Sequence, residues 1–237
     1  MTSVDLTKLI DARNASLWNE IVSKCVVRFE PSPNSEYACY SQSNVVTFFV
    51  PVKDYSPDSF THELLHVYIR LKEVYIGSNL IRRISANNVL QKIFNEKLLE
   101  HISNCLDHMK MLPIYLQMGF EKERFILDFH SNKCTDIEIQ NIERYYKIGN
   151  SYHGKAIETF IGKFFAVTAD PNTNLNYNEC LSKLKKIDEK LFAILQNFTN
   201  SWKSYDLDVN DIFNSYRDLV DKFYEDLNAW MTNKHFL

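Results

Sequence analysis

The chain has 237 residues, 45% of them hydrophobic, enough to bury one substantial core, and its composition shows no break that would divide it. A formal net charge of −3 gives no general attraction to nucleic-acid backbones. No segment reaches the roughly 18 apolar residues of a membrane span. The N-terminus also lacks a basic stretch followed by an apolar run, so a soluble, cytoplasmic protein is expected. Sixteen Phe and thirteen Tyr against five Gly suit a mainly helical architecture. Cys25, Cys39, Cys105, Cys134 and Cys180 are odd in number and scattered, which argues against a disulfide framework and suits a reducing compartment.

In chain order, Leu6, Leu9, Ile10, Leu17, Ile21 and Val22 recur at helical spacing and predict an amphipathic helix from Val4 to about Lys24. Cys25 to Phe29, Glu36 to Tyr40 and Asn44 to Val50 are rich in Val, Phe, Tyr and Thr. Turn-forming Pro31-Ser-Pro-Asn34 and Ser41-Gln-Ser43 separate them, which predicts three short antiparallel strands. Ser56-Pro57-Asp58 has a capping hydroxyl, a proline for the first helical position and an acid near the positive end of the dipole. The helix it starts should run to about Tyr75, with Gly77-Ser-Asn79 as the stop.

Beyond it, helices are expected over 85–112, 136–148, 155–167, 178–203 and 209–231, with breaks at Pro113, Gly149-Asn150 and Asp170-Pro171. The basic run from Lys183 to Lys190 alternates with Leu184, Ile187 and Leu191 and reads as a solvated helix face. The expected class is α+β, mainly α: a small N-terminal antiparallel sheet, one helix carrying the motif below, and a large helical C-terminal part, in one domain over 1–237.

The segment Thr61-His-Glu-Leu-Leu-His-Val67 carries the chemistry. Residues four apart sit one above the other on a helix, so His62 and His66 can present imidazoles to one ion. Glu63 lies about 100° round the helix, within reach of a water on that ion, where a general base is needed. Zinc accepts such nitrogens and lowers the pKa of a bound water to about 7. The bare pattern arises by chance in on the order of one chain in a hundred, but apolar Leu64, Leu65 and Val67 set it on a buried helix.

With a strand-rich segment before it, this arrangement resembles the zincin superfamily of HExxH zinc metallopeptidases over roughly Val26 to Phe120. The resemblance implies a Zn2+ hydrolase acting on a peptide or protein substrate, with Glu63 as catalytic base. It also implies a sheet-edge strand that pairs with substrate, here Asn44 to Val50.

A third protein ligand is required. The metzincin extension is absent, since Val-Tyr-Ile-Arg-Leu-Lys follows His66. The segment Asn95 to Leu112 offers Glu100, His101 and His108, with Asn104 as a weaker contact and Cys105 as a small apolar residue. Asn104-x-Leu106-x-His108 followed by Pro113 and Gly119-Phe120 resembles a pattern of small cytoplasmic HExxH proteins of prokaryotes and their viruses. That resemblance favours His108, ahead of Glu100 and then His101. Tyr145, Tyr146, Tyr152 and His153 are chemically suited to stabilise an oxyanion, or equally to pack. Tyr205, Phe213, Tyr216, Phe223, Tyr224 and Trp230 read as core packing or as a docking face.

Overall fold

A computed structural model describes residues 4–208 and 215–237. It bears out the α+β, mainly α class, with a small N-terminal sheet and helices through most of the rest. The chain forms two compact units: residues up to 74 with 110–130, and residues 75–109 with 131–237.

In the first unit the predicted N-terminal helix is broken. Leu6–Lys8 is a 3-10 turn, and α1 spans only Ala15–Lys24. Asn14 causes the break. Its side chain, fully buried, accepts from the Asp11 N–H at 2.9 Å and donates to the Leu9 carbonyl at 2.9 Å, replacing the bonds a helix would make there. The same amide donates to Thr61 Oγ1 at 2.9 Å, one residue before His62.

Strands β1 (Val26–Pro31), β2 (Ala38–Gln42) and β3 (Val45–Val50) form a sheet in the order β1-β3-β2. The sheet is mixed, which corrects the antiparallel expectation. The β2–β3 hairpin is antiparallel with Cys39 opposite Phe48, whereas β1 pairs β3 in parallel with Val26 opposite Val45. The strand of Asn44 to Val50 is therefore central, hydrogen-bonded on both sides, and β2 is an edge. Val46, Phe48 and Val50 alternate inward. They meet an aromatic cluster in which Phe48 packs edge-on against Phe60 at 5.1 Å and Trp18 lies 5.9 Å from Phe60.

Helix α2 (Pro57–Leu71) begins as its sequence dictates, with Ser56 accepting from the Ser59 N–H at 3.2 Å and Pro57 at the first position. It ends four residues early. Glu73 takes the left-handed conformation (φ 58°) that closes the helix, and Gly77 is not its stop.

Gly77 instead lies inside α3 (Ile76–Ser85) of the second unit, where that helix crosses Ser103 on α4 (Glu96–Gln117). A Cβ at Gly77 would stand 1.7 Å from Ser103 Oγ and 2.5 Å from its Cβ. Gly77→Ala should cost about 2 kcal/mol of unfolding free energy in denaturant titrations, and Ser103→Gly in the same chain should recover most of it. An undiminished midpoint for the single variant would contradict this close crossing.

Pro113, expected as a break, lies within α4. A proline removes one helical donor, yet Met111 and Tyr115 on either side of it are fully buried, and their packing holds the helix together through Gln117. Trp202 Nε1 also donates to the Leu106 carbonyl of α4 at 2.8 Å.

Further on come α5 (Asp136–Tyr145), a hairpin of β4 (Lys147–Ile148) and β5 (Ser151–Tyr152), and α6 (Gly154–Ala169). They are followed by α7 (Asn178–Ile187), α8 (Glu189–Ser204), α9 (Tyr216–Met231) and β6 (His235–Phe236), which pairs with β5. The helix expected over 136–148 stops at Tyr145 because Gly149, at φ 60°, turns the chain into the hairpin.

The helix expected over 178–203 divides at Asp188, which caps α8 through the Leu191 N–H at 2.8 Å. Its other oxygen accepts from the Tyr146 hydroxyl and Trp230 Nε1, each at 3.0 Å. The C-terminal aromatics pack: Phe223 stacks on Phe198 at 4.1 Å, and Tyr216 and Trp230 are buried. Residues 209–214, including Phe213 and the start of the last expected helix, lie outside the described residues. No helix of the described residues is long and apolar enough to cross a membrane.

Candidate metal centre

Helix α2 places His62 and His66 on one face, with ring centroids 5.0 Å apart and planes at 69°. The spacing follows from their four-residue separation, and the burial from Phe60, Leu64, Leu65 and Val67, which seat the helix in the core. His66 is 8% exposed. The His62 ring packs on Phe125 at 4.8 Å, and Phe125 meets Tyr115 edge-on at 5.1 Å, so an aromatic wall limits how the imidazole can turn.

His108, on α4, completes the group. One ligand nitrogen from each of His62, His66 and His108 lies within 4.8 Å of the others, the arrangement of a three-histidine metal site. His62 Nδ1 and His108 Nε2 are buried. Zinc–nitrogen bonds of about 2.0–2.1 Å put two ligands at most about 4 Å apart, so shifts of about 1 Å would bring all three to one ion. The residues fit a divalent cation of the kind that neutral imidazole binds.

The other candidates on α4 are employed elsewhere or face solvent. His101 is exposed and its Nε2 lies 3.1 Å from the Gly162 carbonyl. Glu100 and Asn104 are exposed, and Cys105 is 6% exposed, with its sulfur 3.7 Å from His101 Nε2. The candidate oxyanion donors have structural duties as well. Tyr146 donates to Asp188, Tyr152 packs on Tyr146 at 6.0 Å, and His153 caps α6 by accepting from the Ala156 N–H. Tyr145 is exposed.

No known family model, curated protein or solved structure matches the chain. Its chemistry is therefore read from its own residues.

Glu63 is 9% exposed. Burial pushes its carboxyl above the ordinary range, against the opposing pull of His66, of hydrogen bonds from the Cys39 thiol and backbone N–H, and of Arg70. Cys39 lies on β2, the edge strand against which α2 packs. Along an edge strand alternate backbone N–H groups point away from the sheet, and that of Cys39 meets the carboxylate. Sequence reasoning passed over Cys39 and Phe125 because contacts between a strand or loop and a helix leave no spacing signal.

Proposed function

We propose that the protein is a zinc-dependent metallopeptidase in which His62, His66 and His108 hold the ion and Glu63 is the general base. The convergence of three histidine nitrogens within 4.8 Å, beside a buried glutamate that shares α2 with His62 and His66, carries this reading. Zinc in such a site supplies Lewis acidity, lowering the pKa of water to about 7 and polarising a carbonyl.

The chain's own groups supply the rest. Glu63 accepts the proton of the attacking water, and its raised affinity for protons brings it closer to the working pH of a base than an ordinary carboxylate. Cys39 fixes the direction of the carboxylate through its N–H and thiol. The Phe125 and Tyr115 rings shield His62 from bulk water and hold its orientation. An extended peptide adding to the sheet on this side would lie along β2, since β3 has no open edge.

The first test is elemental analysis of protein loaded with a slight excess of zinc and then freed of unbound metal. One zinc per chain at pH 7.5 is expected, falling away below about pH 6 as the imidazoles protonate. Protein that is folded and metal-free at pH 7.5 would overturn the reading, and full retention at pH 4.5 would exclude a site made of histidines.

The deep burial of Glu63 and its existing bonds to Cys39 favour a second reading, a metal-binding module without turnover. A hydrolase of another amide shares the first site and differs only in substrate. Inhibition by a peptide hydroxamate, with cleavage of members of a peptide library, separates the peptidase from both.

A further inference from the structure

Two polar clamps hold the start of α5 against the first turns of α7. On one side the Tyr177 hydroxyl accepts from the Lys133 N–H at 3.0 Å and donates to Asp170 at 2.7 Å. On the other, Lys183 reaches Asp136 at 3.0 Å and Glu179 at 2.8 Å. Cys134 and Cys180 sit between the clamps, and their thiol groups interact with each other.

The backbone of Cys134 is fixed from both directions. Its N–H donates to Asn132 Oδ1 at 3.0 Å, and Thr135 opens the capping box of α5 with Glu138. Cys134 is 6% exposed, whereas Cys180 is half-buried. Cys180 occupies the first turn of α7, where helix N–H groups favour negative charge. Lys163 is bonded to Glu138 at 2.6 Å and to the Lys133 carbonyl at 2.9 Å, and its charge acts on both thiols. Interaction with Cys134, with the charges of Lys163 and Lys183, draws the Cys180 thiol below its ordinary range despite burial, while interaction with Cys180 and burial push the Cys134 thiol up. A half-buried thiol in the first turn of a helix, paired with a second, buried thiol between two lysine-bearing clamps, is the arrangement of an oxidisable dithiol.

We propose that Cys134 and Cys180 form a peroxide-sensitive dithiol site, with Cys180 as the attacking sulfur and Cys134 as the resolving one. The Cys180 thiolate attacks one oxygen of hydrogen peroxide. An S–O bond forms, the O–O bond breaks, and the departing hydroxide takes up a proton as water. Cys134 then loses its proton and attacks the Cys180 sulfur. The S–S bond forms as the S–O bond breaks, and the second hydroxide leaves as water with the Cys134 proton. The two thiols together give up two electrons, and the peroxide is reduced to two waters. The product ties the start of α5 covalently to α7 and is reversed by a dithiol reductant.

The test treats the reduced full chain with a slight excess of hydrogen peroxide, alkylates the remaining thiols and maps the peptides by mass spectrometry. Expected is one joined pair containing Cys134 and Cys180, two hydrogens lighter than the separate peptides and parted by reductant. In Cys134→Ser, a sulfenic-acid probe should instead label Cys180, about tenfold faster than it labels Cys25, whose thiol burial makes less acidic. The joined peptide is read on the unaltered chain, so a poorly folding variant cannot mask the result. Oxidation of Cys180 to the sulfinic acid without a joined peptide, or reaction no faster than at Cys25, would overturn the proposal.

Discussion

Replacing His66 by alanine should weaken zinc binding by at least about a hundredfold while leaving the fold intact. Loss of a group that merely orients a ligand already costs metal sites 10–100-fold, and His66 would be a ligand itself. Helix α2 does not depend on the imidazole for its place. Phe60, Leu64, Leu65 and Ile69 are essentially fully buried, and Ser56 caps its start. His108→Ala should produce a loss of the same order, since removing any of three ligands leaves an incomplete set. His101→Ala should leave affinity unchanged, because that ring bonds the Gly162 carbonyl. Chelator competition measures all three, with circular dichroism as the check on folding. Equal affinity in the unaltered chain and in His108→Ala would remove His108 from the set and with it the three-histidine centre.

Glu63→Gln should separate holding the metal from using it. The amide has nearly the same shape, and its oxygen can still accept from the Cys39 N–H, so a full complement of zinc is expected. It cannot accept a proton from water, so hydrolysis of a responsive peptide should fall by about 10²–10⁴-fold. The substitution also replaces an acid whose ionised form burial disfavours, so the folded state should not weaken near neutral pH. The sign follows from the direction of the shift. A carboxyl whose folded-state pKa is raised opposes folding increasingly as pH climbs from the unfolded value towards the folded one, and the amide removes that opposition. Turnover equal to that of the unaltered chain would place the base elsewhere. Zinc binding without turnover in either protein would favour the silent module.

The start of α2 was legible because capping is local: a hydroxyl, a proline and an acid in consecutive positions serve the same unpaired N–H groups wherever the helix sits. Its end was not. Gly77 carries the composition of a stop, yet its purpose is a close crossing with Ser103, a residue distant in sequence. Pro113 was misread for the same reason, since the burial that outweighs its missing donor is tertiary. The strands were visible from composition and alternation, but alternation has period two in either direction, so it carries no information on whether β1 and β3 run parallel. Within the site, the four-residue spacing brought His62 and His66 together on paper. His101 and His108 lie seven residues apart, two turns of a helix, so they project on nearly one row. What separates them in the structure is that one reaches a neighbouring carbonyl and the other reaches α2.

The place of His108 in the chain has its own effect. His62 and His66 lie within one helix, and an ion held by them alone would restrain little beyond that helix. His108 comes after α3 and well into α4, so an ion gripped by all three would close the whole intervening stretch into a ring, much as a covalent cross-link does. Such a ring narrows the freedom of the unfolded chain, and an ion that prefers the assembled site favours the folded one. On the proposed reading, stripping the metal therefore loosens the architecture as well as silencing the chemistry, and heat or proteases would distinguish the loaded from the empty protein before any substrate is known.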